Sequence, residues 1–96
     1  MILHTLGATP SSTAFRDCLR VLQTGDALVL LGDGVYAALE GSAACSELCA
    51  AQAEIYLLQS DARLVGIAST ADTIRWLDMD GLVALTERFE RQLAWY

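Results

Sequence analysis

The chain contains no lysine. Among its 96 residues the cationic side chains are six arginines, set against twelve aspartates and glutamates, for a net charge of −6. Without lysine there is no Schiff-base nucleophile, no phosphate-gripping P-loop lysine and no lysine for a phospho-receiver pocket. The acidic balance repels phosphate backbones and argues against direct nucleic-acid binding. Histidine occurs once, as His4, and proline once, as Pro10. Met1 runs straight into ILHTL without a charged leader region, and no apolar stretch is long enough to span a bilayer. Neither a signal peptide nor a membrane helix is therefore expected. Three cysteines, an odd number without a secretion signal, point to a reducing compartment, and the expected location is the cytoplasm.

Apolar side chains are what the chain has in excess. They make up 54% of it, against about 45–50% in an ordinary soluble domain. A single domain over residues 1–96 is short enough to bury only about two thirds of its unfolded surface. Part of the apolar surplus is thus expected to meet a partner, and the isolated chain to self-associate. There is no linker, internal repeat or low-complexity tract.

Residues 2 to 6 read as a first strand. Pro10 lies in the polar stretch GATPSST, where Ser11 or Ser12 caps a helix. From Ala14 the apolar residues Phe15, Cys18, Leu19 and Leu22 recur at helical spacing, with Arg16, Asp17 and Arg20 mostly off that face. Gly25 and Asp26 lead into a second strand, Ala27 to Leu31, apolar throughout as a doubly covered parallel strand should be. The alanine-rich residues 35 to 50 read as a helix with a break at Gly41. Strands are expected at 54–58 and 73–77, with one or two helical turns in SDARLVG between them. Asp78 or Asp80 then caps a last helix whose Leu82, Leu85, Phe89 and Leu93 face inward, with Glu87 and Arg91 spaced for a surface ion pair. Strands alternating with helices predict an α/β fold: a parallel sheet, right-handed crossovers and helices on both faces.

The apolar run ending at Leu31 meets Gly32, Asp33 and Gly34, and with Ala37 this spacing fits a relaxed dinucleotide fingerprint. Three features oppose a cofactor there. Asp33 places a charge where a pyrophosphate would approach the helix. No acidic residue ends the next strand to hold a ribose, since Glu54 begins it. The chain also lacks room for a second nucleotide-binding half. As a plain turn the motif is well made: its glycines allow the backbone angles, and Asp33 has the chemistry to cap the amides of the helix beyond it.

Cys45 and Cys49 stand one helical turn apart, but no second pair completes a set of metal ligands, and they read as small buried residues. Cys18 has apolar helical neighbours, Ala14, Phe15, Val21 and Leu22, which raise a thiol's pKa rather than activate it. His4 sits inside the first strand as a structural residue, with no nucleophile that the sequence pairs with it. No cofactor or metal is expected.

Three stretches, however, carry a resemblance. MILHTL at the start, LLGDGVYAALEG in the middle and QLAWY at the end resemble, in that order and over nearly the full chain, the TusB/DsrH family of sulfur-relay proteins. The resemblance implies a three-layer α/β/α domain with a four- to five-stranded parallel sheet. It implies a heterohexamer with TusC-like and TusD-like subunits, passing persulfide sulfur from a TusA-like to a TusE-like carrier for 2-thiolation of wobble uridine in tRNA. The alternative within the family is a DsrH-type subunit serving sulfur oxidation beside DsrE and DsrF. The main catalytic cysteine belongs to the TusD or DsrE subunit; DsrH-type chains carry one on the first helix, where Cys18 matches, so Cys18 is either a sulfur-handling thiol or a packing residue. The segment around Val35 and Tyr36 and the aromatic end Trp95–Tyr96 are the candidate interface. A nucleotide- or flavin-binding domain and a purely structural adaptor are the competing readings.

Overall fold

The all-apolar stretch Ala27–Leu30 forms strand β2, buried at all four positions, in a computed structural model that describes residues 1–96. It lies at the middle of a five-stranded sheet of order β4-β3-β2-β1-β5, whose other strands are β1 (Ile2–Leu6), β3 (Glu54–Leu58), β4 (Ile74–Leu77) and β5 (Arg91–Trp95). All four pairings are parallel, so every connection is a crossover. Helices α1 (Thr13–Val21), α2 (Ala43–Ala50), α3 (Gln59–Leu64) and α4 (Met79–Arg88) carry them, with a 3-10 segment over Gly32–Ala38.

The strand order decides which face each helix covers. From β1 to β4 the chain steps one way across the sheet, so right-handed crossovers put α1, α2 and α3 on one face. The return from β4 to β5 runs the other way and puts α4 on the opposite face. The packing agrees. A core of fifteen buried residues joins Leu6, Leu28, Leu30, Ile55, Leu57 and Ile74 of the sheet to Phe15, Cys18, Cys45, Leu48 and Ala62 of the three helices. A core of six on the other face joins Leu3, Ala27, Val29 and Tyr56 to Leu85 and Phe89, from α4 and the residue that ends it.

Local chemistry sets the helix starts. Ser12 caps α1, its hydroxyl accepting from the Phe15 amide at 3.2 Å, and Ser42 caps α2 through the Cys45 amide at 3.1 Å. Asp78, not Asp80, caps α4, accepting from Gly81 N–H at 2.7 Å.

The break expected at Gly41 is present, that residue turning the chain at φ +84° between Ala38 and Ala43, but the part before it is a 3-10 segment and not an α-helix. The last helix needs a larger correction. The last helix stops at Arg88, and residues 91–95 form β5 instead of a further turn. Leu93 is therefore a strand residue, 42% exposed, and Glu87 and Arg91 are not helical neighbours. Arg88 instead pairs with Glu54 at 3.1 Å. Helical spacing does continue through Leu93, but the open edge of β1 offers five parallel pairings, from Ile2 with Arg91 to Leu6 with Trp95. Sheet completion outweighs that local pattern.

Candidate functional site

The Gly-Asp-Gly loop leaves the carboxyl end of β2, where an open α/β sheet places a ligand crevice. Both of its glycine amides are already engaged. Gly32, at φ +52°, donates its N–H to Asp61 Oδ2 at 2.8 Å, and Gly34 N–H donates to the Leu31 carbonyl at 2.9 Å. A β-carbon on Gly34 would collide with the Leu6 carbonyl, so this glycine serves close packing of the 3-10 segment on β1. The turn opens into that 3-10 segment and not into an α-helix, which removes the aligned amides a pyrophosphate would need. The loop is a turn. The carboxylate that satisfies it is Asp61, from the start of α3, and not Asp33, which is exposed and caps nothing. No local signal marks Asp61, because it lies 29 residues from Gly32.

Cys18 is 1% exposed and packs in the larger core. Burial pushes its thiol up to about 12. It is the sixth residue of α1, beyond the reach of the helix's amino end, and the arginines two positions away on either side are exposed. Arg20 instead meets Asp17 at 3.6 Å. Within this chain Cys18 is a buried thiol whose surroundings favour the neutral form.

The other two thiols differ from each other. Cys45 is buried, and its thiol is pushed up by burial first, then by Cys49 and Glu40. Cys49 is not buried, contrary to expectation: it is exposed near the end of α2, its Sγ 3.2 Å from Thr73 Oγ1. No group of three or more histidine, cysteine or carboxylate side chains comes together in metal-binding geometry.

His4 and Asp26 are the two buried polar side chains of the interior, and they meet each other. His4 is fully buried, and its Nε2 lies 3.0 Å from Oδ2 of Asp26, itself 4% exposed. Trp95 Nε1–H donates to His4 Nδ1 at 3.1 Å, the two rings inclined by 21°. Indole is a donor only, so Nδ1 must be the acceptor and Nε2 carries the proton that goes to Asp26. Asp26 also accepts the amides of Ile2 at 2.9 Å and Gln23 at 3.0 Å. Burial pushes its carboxyl up, but the His4 bond and those two amides outweigh burial and hold it below the usual carboxylate range. The sequence alone did not bring these three together, since 91 residues separate His4 from Trp95.

The residues expected at an interface divide. Val35 is fully buried, turned into the core by the 3-10 segment, and contributes no surface. Tyr36 is 38% exposed and, with Leu39, Pro10 and Phe15, lines a cleft of about 390 Å³ between the starts of α1 and α2. Trp95 is half-buried on His4, whereas Tyr96 is 87% exposed. No helix is long and apolar enough to cross a membrane.

Residues 9–92 match a family model described as DsrH like protein. Protein TusB of Salmonella typhimurium and that of Salmonella arizonae are each 38% identical to this chain over 95 residues, covering 98% of it and 100% of the relative. Two solved structures share the fold. The crystal structure of the ychN protein from E. coli superposes with a TM-score of 0.74 at 17% identity, covering 98% of this chain and 97% of that one. The solution structure of protein Tm0979 from Thermotoga maritima gives 0.69 at 18% identity, covering 94% and 95%.

Proposed function

The chain belongs to the DsrH family of sulfur-relay subunits, and on that footing we propose that it works as a TusB-like accessory subunit in the cytoplasm. Its partners are TusC-like and TusD-like chains in a heterohexamer. The assembly receives persulfide sulfur from a TusA-like carrier and hands it to a TusE-like one for 2-thiolation of the tRNA wobble uridine. The observation that carries this reading is the 38% identity to TusB proteins along almost the whole chain. An apolar fraction of 54% and the exposed Tyr36, Leu39 and Tyr96 support an obligate partner.

The accessory role rests on Cys18. A relay thiol attacks as thiolate and must be reachable, and Cys18 is neither ionised at physiological pH nor exposed. The relay thiol then lies on the TusD-like partner, and this chain supplies surface to the assembly.

Co-expression with the partner subunits, followed by loading from the donor carrier and persulfide trapping with mass spectrometry, tests both parts. We expect a stable complex, sulfur on the partner's cysteine, none on Cys18, and unchanged transfer in Cys18→Ser. Trapped persulfide on Cys18, with transfer lost in Cys18→Ser while assembly is intact, would make this chain a sulfur carrier. Failure to co-purify with such partners would remove the subunit reading itself.

A further inference from the structure

We propose that His4, Asp26 and Trp95 form a proton-operated latch on the carboxyl-terminal strand β5. The strand has little else to hold it. Four of its five residues are exposed, it forms one edge of the sheet, and Trp95 is its one partly buried side chain. Its other ties are the parallel ladder to β1, extended by Gly7 N–H donating to the Trp95 carbonyl at 2.9 Å, and an exposed bond from Gln92 Nε2 to the Thr86 carbonyl of α4 at 3.2 Å.

The bond from Trp95 requires an unprotonated Nδ1 on His4. A second proton on the ring puts two N–H groups face to face across that 3.1 Å contact. The opposite nitrogen keeps its bond to Asp26 and gains charge assistance. Protonation is therefore tolerated on the Asp26 side and repelled on the Trp95 side, which makes the indole the moving part.

Few charged groups face the ring. The loop before β2 presents Asp26, which favours the imidazolium. On β5 the residues sharing the His4 face are Arg91, Leu93 and Trp95, and Arg91 opposes a second cation, as does the Met1 ammonium at the start of β1. On the same face β2 presents Leu28 and Leu30. Helix α1, packed over β1 and β5, turns inward Phe15, Leu19, Leu22 and the neutral Cys18. Release of Trp95 exposes the indole and uncovers the edge of β1.

The full chain carrying Trp76→Phe leaves Trp95 as the sole tryptophan, so its emission reads the latch, while amide hydrogen exchange reads the strand. On acidification from about pH 8 to about pH 5 we expect the Trp95 emission to shift to the red. Protection factors at Gly7 and within β5 should fall about tenfold, those of residues 28–30 and 55–57 remaining as they were. In His4→Gln, whose amide accepts from Trp95 and donates to Asp26 without titrating, both signals should be flat with pH. Should that variant fail to fold, Trp95→Phe must show a β5 equally unprotected at both pH values. A flat wild-type profile, a step that persists in either variant, or loss of protection in β2 and β3 together with β5 would overturn the latch.

Discussion

Strands β2 and β5 belong to the same parallel sheet and have almost nothing else in common. Every residue of β2 is buried, whereas four of the five in β5 are exposed. β2 is paired on both sides, with β1 and β3; β5 is paired with β1 alone. In β2 the side chains supply the driving force directly, because an apolar segment covered on both faces has no comparable place elsewhere in the fold. In β5 the strand state is imposed by the neighbour: β1 offers an unpaired edge, and a single side chain, Trp95, finds a polar partner inside. One strand is specified by its own composition and the other by its destination, and each therefore responds to different perturbations.

The largest effect is expected in β2. Leu30 is fully buried and packs in the core beneath α1, α2 and α3. Leu30→Ala removes apolar contact and leaves a cavity that the surrounding sheet cannot close, at a loss of about 2–5 kcal/mol. For a domain this small that is a large share of total stability. Urea unfolding should show a midpoint shifted far down with the slope unchanged; a midpoint within experimental scatter of the unsubstituted chain would mean that β2 is not the structural centre of the sheet.

The same contrast explains how much of the molecule was legible in the sequence. β2 announces itself through Ala27 to Leu30, and α1 through Ser12 and the Phe15, Cys18, Leu19, Leu22 stripe, because in both cases the determining contacts are written within one segment. β5 does not: the spacing of Leu82, Leu85, Phe89 and Leu93 satisfies a helix equally well until β1 is present to compete for residues 91–95. The site obeyed the same rule. The burial of Cys18 followed from its helical neighbours, and the turn character of Gly32 to Gly34 from their composition. Asp61 closing that turn and Trp95 meeting His4 are contacts between distant segments, 29 and 91 residues apart. Val35 was misplaced on the surface because a 3-10 segment aims its side chains differently from the α-helix that the alanines suggested.

A smaller effect separates the closed core from the edge by pH. In the fold Cys18 is raised from an ordinary thiol value of 9.0 to about 12. A group whose pKa is raised on folding contributes stability that is complete below its unfolded pKa and is lost as pH climbs toward the folded one. The window is therefore pH 9 to about 12, and about 1 kcal/mol should be gone near pH 10. Asp26 has the opposite sign, since its carboxyl is held low in the fold, and its contribution is lost on the acid side as pH falls through the folded value. Denaturation midpoints measured from pH 7 upward (about 7 to 11) in the unsubstituted chain and in Cys18→Ala should diverge at neutrality and converge above about pH 9. Parallel curves would show that Cys18 ionises freely in the fold, and with that the argument for a packing thiol would fail.

The smallest expected effect is the most discriminating for β5. Leu85 and Leu93 fall on the same side of a hypothetical continuous helix, and on that reading their truncation should be comparably damaging. In the fold Leu85 is 5% exposed on the inner face of α4, whereas Leu93 is 42% exposed on the edge strand. Leu85→Ala should therefore lower stability by about 2–5 kcal/mol. Leu93→Thr should change it by no more than about 0.5 kcal/mol, since a surface site loses little burial and threonine suits an extended backbone. Chemical denaturation of the two variants side by side gives the ratio directly. Equal losses would return residues 91–95 to a helix and leave His4 without its indole, because Trp95 reaches Nδ1 only from a strand whose register sets Leu6 against Trp95. A near-neutral Leu93→Thr beside a crippled Leu85→Ala would fix the end of α4 at Arg88 and leave β5 as an edge held by β1 and by one buried hydrogen bond.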